Sequence, residues 1–577
     1  MALTNIKEKA AEASKTAKQT VNNQPNTSSD TSTAAGGSDD LDFSFLKVHV
    51  DQNLNFKSCQ ILQTGFIALL QRLGFRRYDK ADKTFIVVKV VDNIIEEVSI
   101  PNLRVEAARY CNNIDPDILF EQTRCPHNEL MEKLYRSLGS LLSDEKMSLL
   151  VDLKKGNEFN ICTDNFHTGY YFYENGFVEV KKSTGVRLRP YSELPGLVWK
   201  DQVLPRKFEV IDVAEIEKAY FYTFLKNVAH TKGESTDENA TRLGSLMSIT
   251  GYNLHRFFDT HLRATILLDA RTSDDPDGRS GKSLYCKALR LILNSNPDTG
   301  AQCRIIDGKT FQQDNRFKFE ELEHNTRLVV FDDIKRDVDL VSFFNAIPDG
   351  ISVERKGAQG KERVHTKIVF TLNYTLSIRG GSAKDRVLEF EFADYYSSKF
   401  KPEHEFKHWF FRDWDVAEWN RFDNLMMMCV DLYMKQGVIQ CGVVNLNERK
   451  LKDETCAEFV TFMEDLNIEH QREYDKKDLY KKFVDLDDDG KIRNKDLNWM
   501  KMRTFTAFLK YWAEYRDEMA GFKFRRSNST DWIMFFYDKP VFPEHIVGAT
   551  LYPDKSTHCT PSTEVAMPVS ADTNLPF

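Results

Sequence analysis

From Leu41 to about Val210 the apolar positions fall into alternating or short continuous runs. Lys83-Thr-Phe-Ile-Val-Val-Lys-Val-Val91 and Tyr170-Tyr-Phe-Tyr-Glu-Asn-Gly-Phe-Val-Glu-Val180 have the period and composition of strands. Asn175-Gly176, inside the second run, is hairpin chemistry. Residues 41–210 therefore read as a strand-rich α+β N-terminal domain. From about Asp212 the spacing turns helical, through Glu215 to Leu225 and, past a polar loop, Leu243 to Leu262, which predicts a small helical unit over 211–262. Four short apolar runs follow: Ala264 to Leu268, Cys303 to Ile306, Leu328 to Phe331 and Lys367 to Thr371, with a helix after the first. Strands buried on both faces lose polar alternation, so 263–400 reads as a doubly covered α/β sheet. Phe406 to Gly437 reads as helix within a helical segment 401–450, and Asp453 to Asp538 as helices followed by a strand pair within a unit 451–545. The polar ends, 1–40 and 546–577, read as a disordered arm and tail.

Length turns this pattern into a multidomain chain, because 577 residues exceed the roughly 250 that one hydrophobic core serves. No apolar stretch approaches the roughly 18 residues of a membrane span and the N-terminus has no signal-like apolar run. A cytoplasmic protein without a membrane partner is expected, in the host cytoplasm if the source is a virus or phage. The ten cysteines lack the paired spacing of a zinc site or disulfide framework and read as thiols in a reducing compartment. A formal charge of −8 excludes a protein that coats nucleic acid indiscriminately, so contact with DNA must come from local basic clusters.

The strongest chemical signal is Gly278-Arg279-Ser280-Gly281-Lys282-Ser283, placed after a buried strand and opening a helix from Leu284 to Leu293. Glycines let backbone N–H groups wrap phosphates, a lysine reaches the β- and γ-phosphates, and a hydroxyl meets Mg²⁺. These six residues are the expected ATP-binding set, with Lys282 expected as an exposed loop charge whose removal leaves the fold intact. The usual first glycine falls on Pro276, and the loop before it is long and acidic. Alone, Gly-Lys-Ser is often an ordinary surface turn. Here Leu328-Val-Val-Phe-Asp-Asp333 follows, a buried run ending in two carboxylates. Asp332 is expected to hold Mg²⁺ with Ser283, and Asp333 to polarise the attacking water.

This arrangement resembles the superfamily 3 helicases, especially the poxvirus-type and phage primase-helicase branch, over roughly residues 160–540. The resemblance implies an AAA+-like P-loop ATPase core with a helical collar before it, to which Arg242-Leu-Gly-Ser-Leu-Met-Ser-Ile-Thr-Gly-Tyr252 is similar. Phe172 to Val180 with Leu204-Pro-Arg-Lys-Phe208 resembles the lead-in of the poxvirus-type branch. Lys367-Ile-Val-Phe-Thr-Leu-Asn373 matches the family's sensor strand, which makes Asn373 a contact of the γ-phosphate or attacking water. Ser382-Ala-Lys-Asp-Arg-Val-Leu-Glu-Phe-Glu-Phe392 resembles the arginine-finger segment, with Arg386 as the finger on a neighbouring subunit's nucleotide. Ile351 to Val364 matches the basic hairpin, and its two alternating runs around a Gly-containing turn are hairpin chemistry in their own right. Arg355, Lys356, Lys361 and Arg363 are the expected DNA contacts, since cations beside small residues neutralise phosphates without reading sequence.

The expected function is an ATP-dependent DNA helicase, an ATP hydrolase acting in replication of a virus, phage or mobile element. ATP and Mg²⁺ are the expected cofactors. Single-stranded DNA, replication forks, other copies of the chain in a hexameric ring and a separate primase or polymerase are the expected partners. The alternative is an AAA+ origin initiator or assembly ATPase without processive unwinding, and a third reading is a structural protein with a dead nucleotide site. Asp478 to Val484, Leu497 to Tyr515, Phe522 to Arg526 and Trp532 to Tyr537 are consistent with a C-terminal winged-helix-like unit able to bind duplex DNA. Asp485 to Asp496 fits much of a calcium loop, but Asp at its twelfth position favours a plain acidic connection. Asp115-Pro-Asp117 with His127 is a faint echo of a primase, opposed by the proline, which leaves the N-terminal domain as an adaptor or DNA-binding unit.

Overall fold

A computed structural model describes residues 45–537 apart from 81–83, 114–118, 121–122, 125, 156–159, 259–261, 271–278, 299, 357–359, 376–384, 486–491, 493–494, 517–518 and 528–529. The expected arm and tail, Gly278, Pro276 and its acidic loop, the hairpin tip, the segment just before Asp385, most of the calcium-like loop and Asp115 to Asp117 lie outside these residues.

The N-terminal unit opens with the antiparallel pair β1 (Leu46–Val50) and β2 (Phe56–Ile61). Then come α1 (Gln63–Arg72), the antiparallel β3 (Phe75–Asp79), β4 (Phe85–Val91) and β5 (Ile94–Glu97), α2 (Ile100–Asn112) and α3 (His127–Leu141). Helices and strands thus alternate in this unit, as an α+β domain would have them. Apolar residues three and four apart, such as Phe66, Ile67, Leu69 and Leu70 in α1 and Leu130, Leu134, Leu138 and Leu141 in α3, turn a stripe onto one core with Phe45, Phe75 and Leu103.

A second antiparallel sheet, β6 (Thr168–Tyr173), β7 (Gly176–Lys181) and β8 (Gly185–Arg189), follows, and β9 (Val198–Trp199) returns to pair in parallel with β5. One face of the second sheet, Tyr171, Tyr173, Val178 and Val180, is buried in the same core as the helices and sheet that follow. Composition had placed a boundary near residue 210, but the core runs across it. Two buried ion pairs fasten this junction. Asp164 accepts from the Arg256 guanidinium and backbone N–H, each at 2.9 Å, and the guanidinium of Arg206 is bidentate on Asp423 at 2.7 Å and 2.7 Å.

The helical unit is α4 (Tyr220–Ala229) and α5 (Thr236–Leu254), the latter started by a reciprocal cap between Ser235 and Glu238. Beyond it lie β10 (Ala264–Asp269), α6 (Lys282–Leu293), β11 (Cys303–Asp307), β12 (Leu328–Asp332), α7 (Leu340–Asp349), β13 (Ile351–Val353), β14 (Glu362–Val364), β15 (Lys367–Thr371) and β16 (Val387–Phe392). Five of these strands form one parallel sheet in the order β11-β12-β15-β10-β16. Leu267, Leu328, Val330 and Val369 face the α5 side, while Ile266, Val329, Phe331 and Phe370 face a second apolar cluster. The loss of polar alternation in the four runs thus has its expected cause.

Helix α8 (Val416–Gln436) crosses α5 so closely that a Cβ on Gly251 would lie 2.0 Å from the Cys429 carbonyl oxygen. The helix expected from Phe406 begins only at Val416. Residues 406–415 instead pack aromatic rings, Phe406, Phe410, Phe411 and Trp414, around positive-φ turns at Lys407 and Phe411.

Helix α9 (Leu446–Glu454) leads to α10 (Ala457–Asp465), β17 (Glu473–Asp475), α11 (Lys476–Val484), α12 (Met502–Tyr515), β18 (Met519–Ser527) and β19 (Thr530–Tyr537). The sheet order is β17-β19-β18, all antiparallel. Phe459, Phe483, Phe505, Leu509, Trp512, Ile533 and Phe535 make its separate core. Helix, strand, two helices and a strand pair over such a core is the order of a winged helix. Among the described residues no helix is long and apolar enough to cross a membrane.

Candidate functional site

In a sheet covered on both faces, polar groups gather at strand ends, and the crevice lies where strand order switches at the carboxyl ends. Here β10, β12 and β15 end together, and α6 begins over them. Its first-turn geometry needs glycine twice over. Gly281 sits at φ +103, and a Cβ there would lie 2.8 Å from the Phe224 ring of α4. Arg279 precedes it, exposed and at φ +70, and Ser280 is buried.

Lys282 is not the exposed loop charge expected. Only 6% exposed, its ammonium lies 2.5 Å from Asp269 and donates to Asn373 Oδ1 at 2.9 Å and Ser280 Oγ at 3.4 Å. Burial holds the ammonium below the ordinary lysine range, and Asp269 opposes that shift. The second Asp269 oxygen is buried without a partner among the described residues.

Ser283 Oγ donates to Asp332 Oδ1 at 3.0 Å, and Thr371 Oγ1 donates to the same oxygen at 2.8 Å. Thr371 also accepts the Asp333 backbone N–H at 2.7 Å, which holds Asp333 at φ +59, beyond the strand. There its carboxylate meets Asn373 Nδ2 at 2.5 Å and Lys309 Nζ at 2.6 Å. The hydrogen bond to Asp333 raises the Lys309 ammonium above its ordinary value. Lysine, hydroxyl, two carboxylates and amide from three separated segments therefore converge.

Four participants were missed. Asp269 carried a readable signal, since its buried run ends in a carboxylate just as the run to Asp332 does. Thr371 lies inside the sensor run, but its side-chain bonds appear only in three dimensions. Lys309 had no signal at all. Nor did α9, which reaches the crevice with Arg449 on the Asp269 carbonyl and follows Asn445 Nδ2 on the Ala270 carbonyl at 2.8 Å.

Arg386 lies at the other end of the sheet. Its carbonyl accepts from Ala264 at the amino end of β10, so five strand residues, about 17 Å of rise, separate it from Asp269. The basic hairpin is also at that end, with β13 and β14 pairing Ile351↔Val364, Ser352↔Arg363 and Val353↔Glu362 and leading directly into β15. Lys356 and Lys361 project from it, at 73% and 66% exposure, with Glu320 and Glu354 as their nearest carboxylates at 3.9 Å and 2.7 Å. Arg363 is exposed and donates to the Asp349 carbonyl at 3.1 Å. Arg355 departs from expectation: its guanidinium turns inward, with one nitrogen on the Leu322 carbonyl at 2.6 Å and near Glu362 at 3.3 Å.

No protein-family model matches the chain, and no curated protein matches it. Among solved structures it is similar to the apo A form of the NrS-1 C-terminal region, with 9% identity and TM-score 0.35, over 82% of this chain and 98% of that one. It is also similar to JCV helicase, with 12% identity and TM-score 0.22, over 43% of this chain and 65% of that one. At these values the likenesses are distant and carry no argument about the site.

The buried pair yields a stability prediction opposite to that for an exposed lysine. Lys282→Met or Asp269→Leu alone should cost about 3–5 kcal/mol, because each strands a buried partner. Asp269→Leu combined with Lys282→Met should cost less than the sum. Urea denaturation of the four proteins measures the coupling, and strictly additive losses would exclude it.

Proposed function

We propose that this chain is an ATP-hydrolysing motor on single-stranded DNA, a helicase of superfamily 3 type that works as a ring. The observation that carries the proposal is the convergence of Lys282, Ser283, Asp332, Asp333 and Asn373 at the carboxyl ends of one parallel sheet. In this reading Lys282 leaves Asp269 for the β- and γ-phosphates, where an ammonium offsets charge that a buried carboxylate would otherwise repel. Asp333, aimed by Asn373 and Lys309, orients and polarises the attacking water. Ser283 and Asp332 fit a magnesium ion, which keeps places for phosphates and water and supplies charge neutralisation when bound. Among the described residues no cluster of three or more His, Cys, Asp or Glu offers a fuller cage.

Sheet polarity supports the ring. An arginine about 17 Å of strand rise from its own crevice is badly placed for its own nucleotide, whereas a neighbour's crevice can face it. A hexamer, replication forks as substrate and a separate primase or polymerase as partner belong to the same proposal. An origin initiator or assembly ATPase shares the crevice, so strand displacement is the property that distinguishes them.

The test is hydrolysis and displacement together. The wild type should show ATPase stimulated by single-stranded DNA and should unwind a forked duplex, while Asp333→Asn loses both by roughly a hundredfold or more, the scale of a lost general base. Stimulated ATPase without displacement on either overhang would leave the initiator reading.

In the hairpin, Lys356→Ala with Lys361→Ala should weaken single-strand binding and reduce the log-log salt slope by about 1.4, roughly 0.7 for each lost phosphate contact. An unchanged slope in a titration from low to moderate salt would remove these lysines from the interface.

Mixing Arg386→Ala with Asp333→Asn tests the finger. Each protein should be nearly inactive alone, and mixed rings should regain hydrolysis wherever an intact finger faces an intact crevice. No recovery in mixtures verified to co-assemble would exclude action between subunits.

A further inference from the structure

The turn before β6 holds an aromatic ring out in water by a set of fixed bonds. Asn165 and Thr168 close the turn with two backbone bonds, at 2.9 Å and 3.3 Å, and Asn165 Oδ1 accepts the His167 N–H at 2.9 Å. His255, just past α5, donates from Nε2 to the Asn165 carbonyl at 3.0 Å. A turn tied in this way has few conformers to lose, so Phe166, 47% exposed, is presented in one place. Phe257 stands edge-on to it with ring centres 6.1 Å apart, and the Lys182 ammonium, just past β7, lies 5.8 Å from the Phe166 ring centre. A lone exposed phenylalanine needs no explanation, but one fixed beside a second ring and a cation does.

Arg327 extends the patch. It precedes β12, and its guanidinium lies over the Phe258 ring, 5.7 Å from the centre. Burial holds that guanidinium below the ordinary arginine range, and the like charge of Arg256 adds to the shift. Asp164, the carboxylate that opposes the shift, is already held by Arg256. Among the described residues no carboxylate pairs with Arg327 or with Lys182. A half-buried cation in this position is stabilised when an anion joins it. The patch also lies at the same end of the central sheet as the basic hairpin. Lys367, which opens β15 after the hairpin strand β14, gives its backbone N–H to the Arg327 carbonyl at 2.9 Å and its ammonium to the carbonyls of Tyr252 and His255.

We propose that this patch is a stacking site for single-stranded nucleic acid, separate from the hairpin, with bases on Phe166 and Phe257 and phosphates at Lys182 and Arg327. Every base has a flat face to lay on a ring, so the site tolerates any sequence. Bases inside a duplex are stacked on one another and cannot reach the rings, which selects single strands. The cations supply the part of the affinity that salt weakens, and the rings supply the part that salt leaves alone. Lying at the hairpin's end of the sheet, the patch can take the continuation of a strand held there. Its binding needs no hydrolysis, so it is tested without nucleotide.

The experiment is equilibrium anisotropy with the full chain and a labelled single strand of about 30 nucleotides of mixed sequence. Phe166→Ala should lower affinity about tenfold, the scale of one lost stacking contact, and leave the log-log salt slope unchanged, since no phosphate contact goes with it. Lys182→Ala should reduce the slope by about 0.7. Phe166→Trp should keep the wild-type affinity, and the fluorescence it adds should be quenched by the strand, which separates stacking from misfolding. The proposal is overturned if the wild type binds no single strand, if Phe166→Ala binds it as the wild type does, or if Phe166→Trp is as weak as Phe166→Ala. It is also overturned, in favour of an acidic protein partner, if Phe166→Ala leaves the strand bound but loses poly-glutamate. Lack of ATPase in the wild type would remove the motor and leave this result standing.

Discussion

A parallel sheet covered on both faces leaves charged side chains little room except at its ends, and the rest of the site depends on that confinement. Asp269, Asp332 and Asp333 stand at the carboxyl ends of β10 and β12, and Lys282 comes down on them from the first turn of α6. In so dry a crevice an ammonium persists as a charge only beside a counter-charge. Asp269 is that counter-charge, and Asn373 shares the same ammonium. The packing that makes the sheet stable therefore also preorganises its polar groups.

The same sheet separates two kinds of chemistry by the length of a strand. The crevice is at one end, while Arg386 and the hairpin of β13 and β14 are at the other. On the proposed reading, hydrolysis at one end has to be felt by a DNA contact at the opposite end, and the strands are the rigid link. Helix α9 gives the crevice another connection, because Arg449 and Asn445 hold carbonyls at the end of β10 while Leu451 belongs to the core of the C-terminal unit. A change in the crevice can thus reach the C-terminal unit through packed elements.

Around this core the helix α5 acts as a fastening. Arg242, 2% exposed, donates to the carbonyls of Ala229, Gly442 and Glu391 at 3.0, 2.8 and 2.8 Å, which joins α4, β16 and the segment after α8. A permanently charged fork with five donors can bridge three separate backbones in this way, whereas a lysine would serve fewer acceptors. The close α5–α8 crossing at Gly251 does the same by shape.

By itself the sequence determined the buried strands of the central sheet, the glycine-lysine-serine turn before α6, the acidic end of β12, the hairpin before β15 and the helix-and-strand order of the C-terminal unit. Each is a local pattern, because strand burial, turn geometry and helix capping are written in neighbouring residues. Only the tertiary structure decided that Lys282 is buried against Asp269, that Arg355 turns inward, that Lys309 pairs with Asp333, and that one face of β6 and β7 joins the core of the central sheet while Leu197 packs with Val88 and Ile95 of the N-terminal unit. Those outcomes depend on which distant segments meet, and a charge's role follows from the acceptors and the dielectric that meeting creates. No spacing along the chain records them.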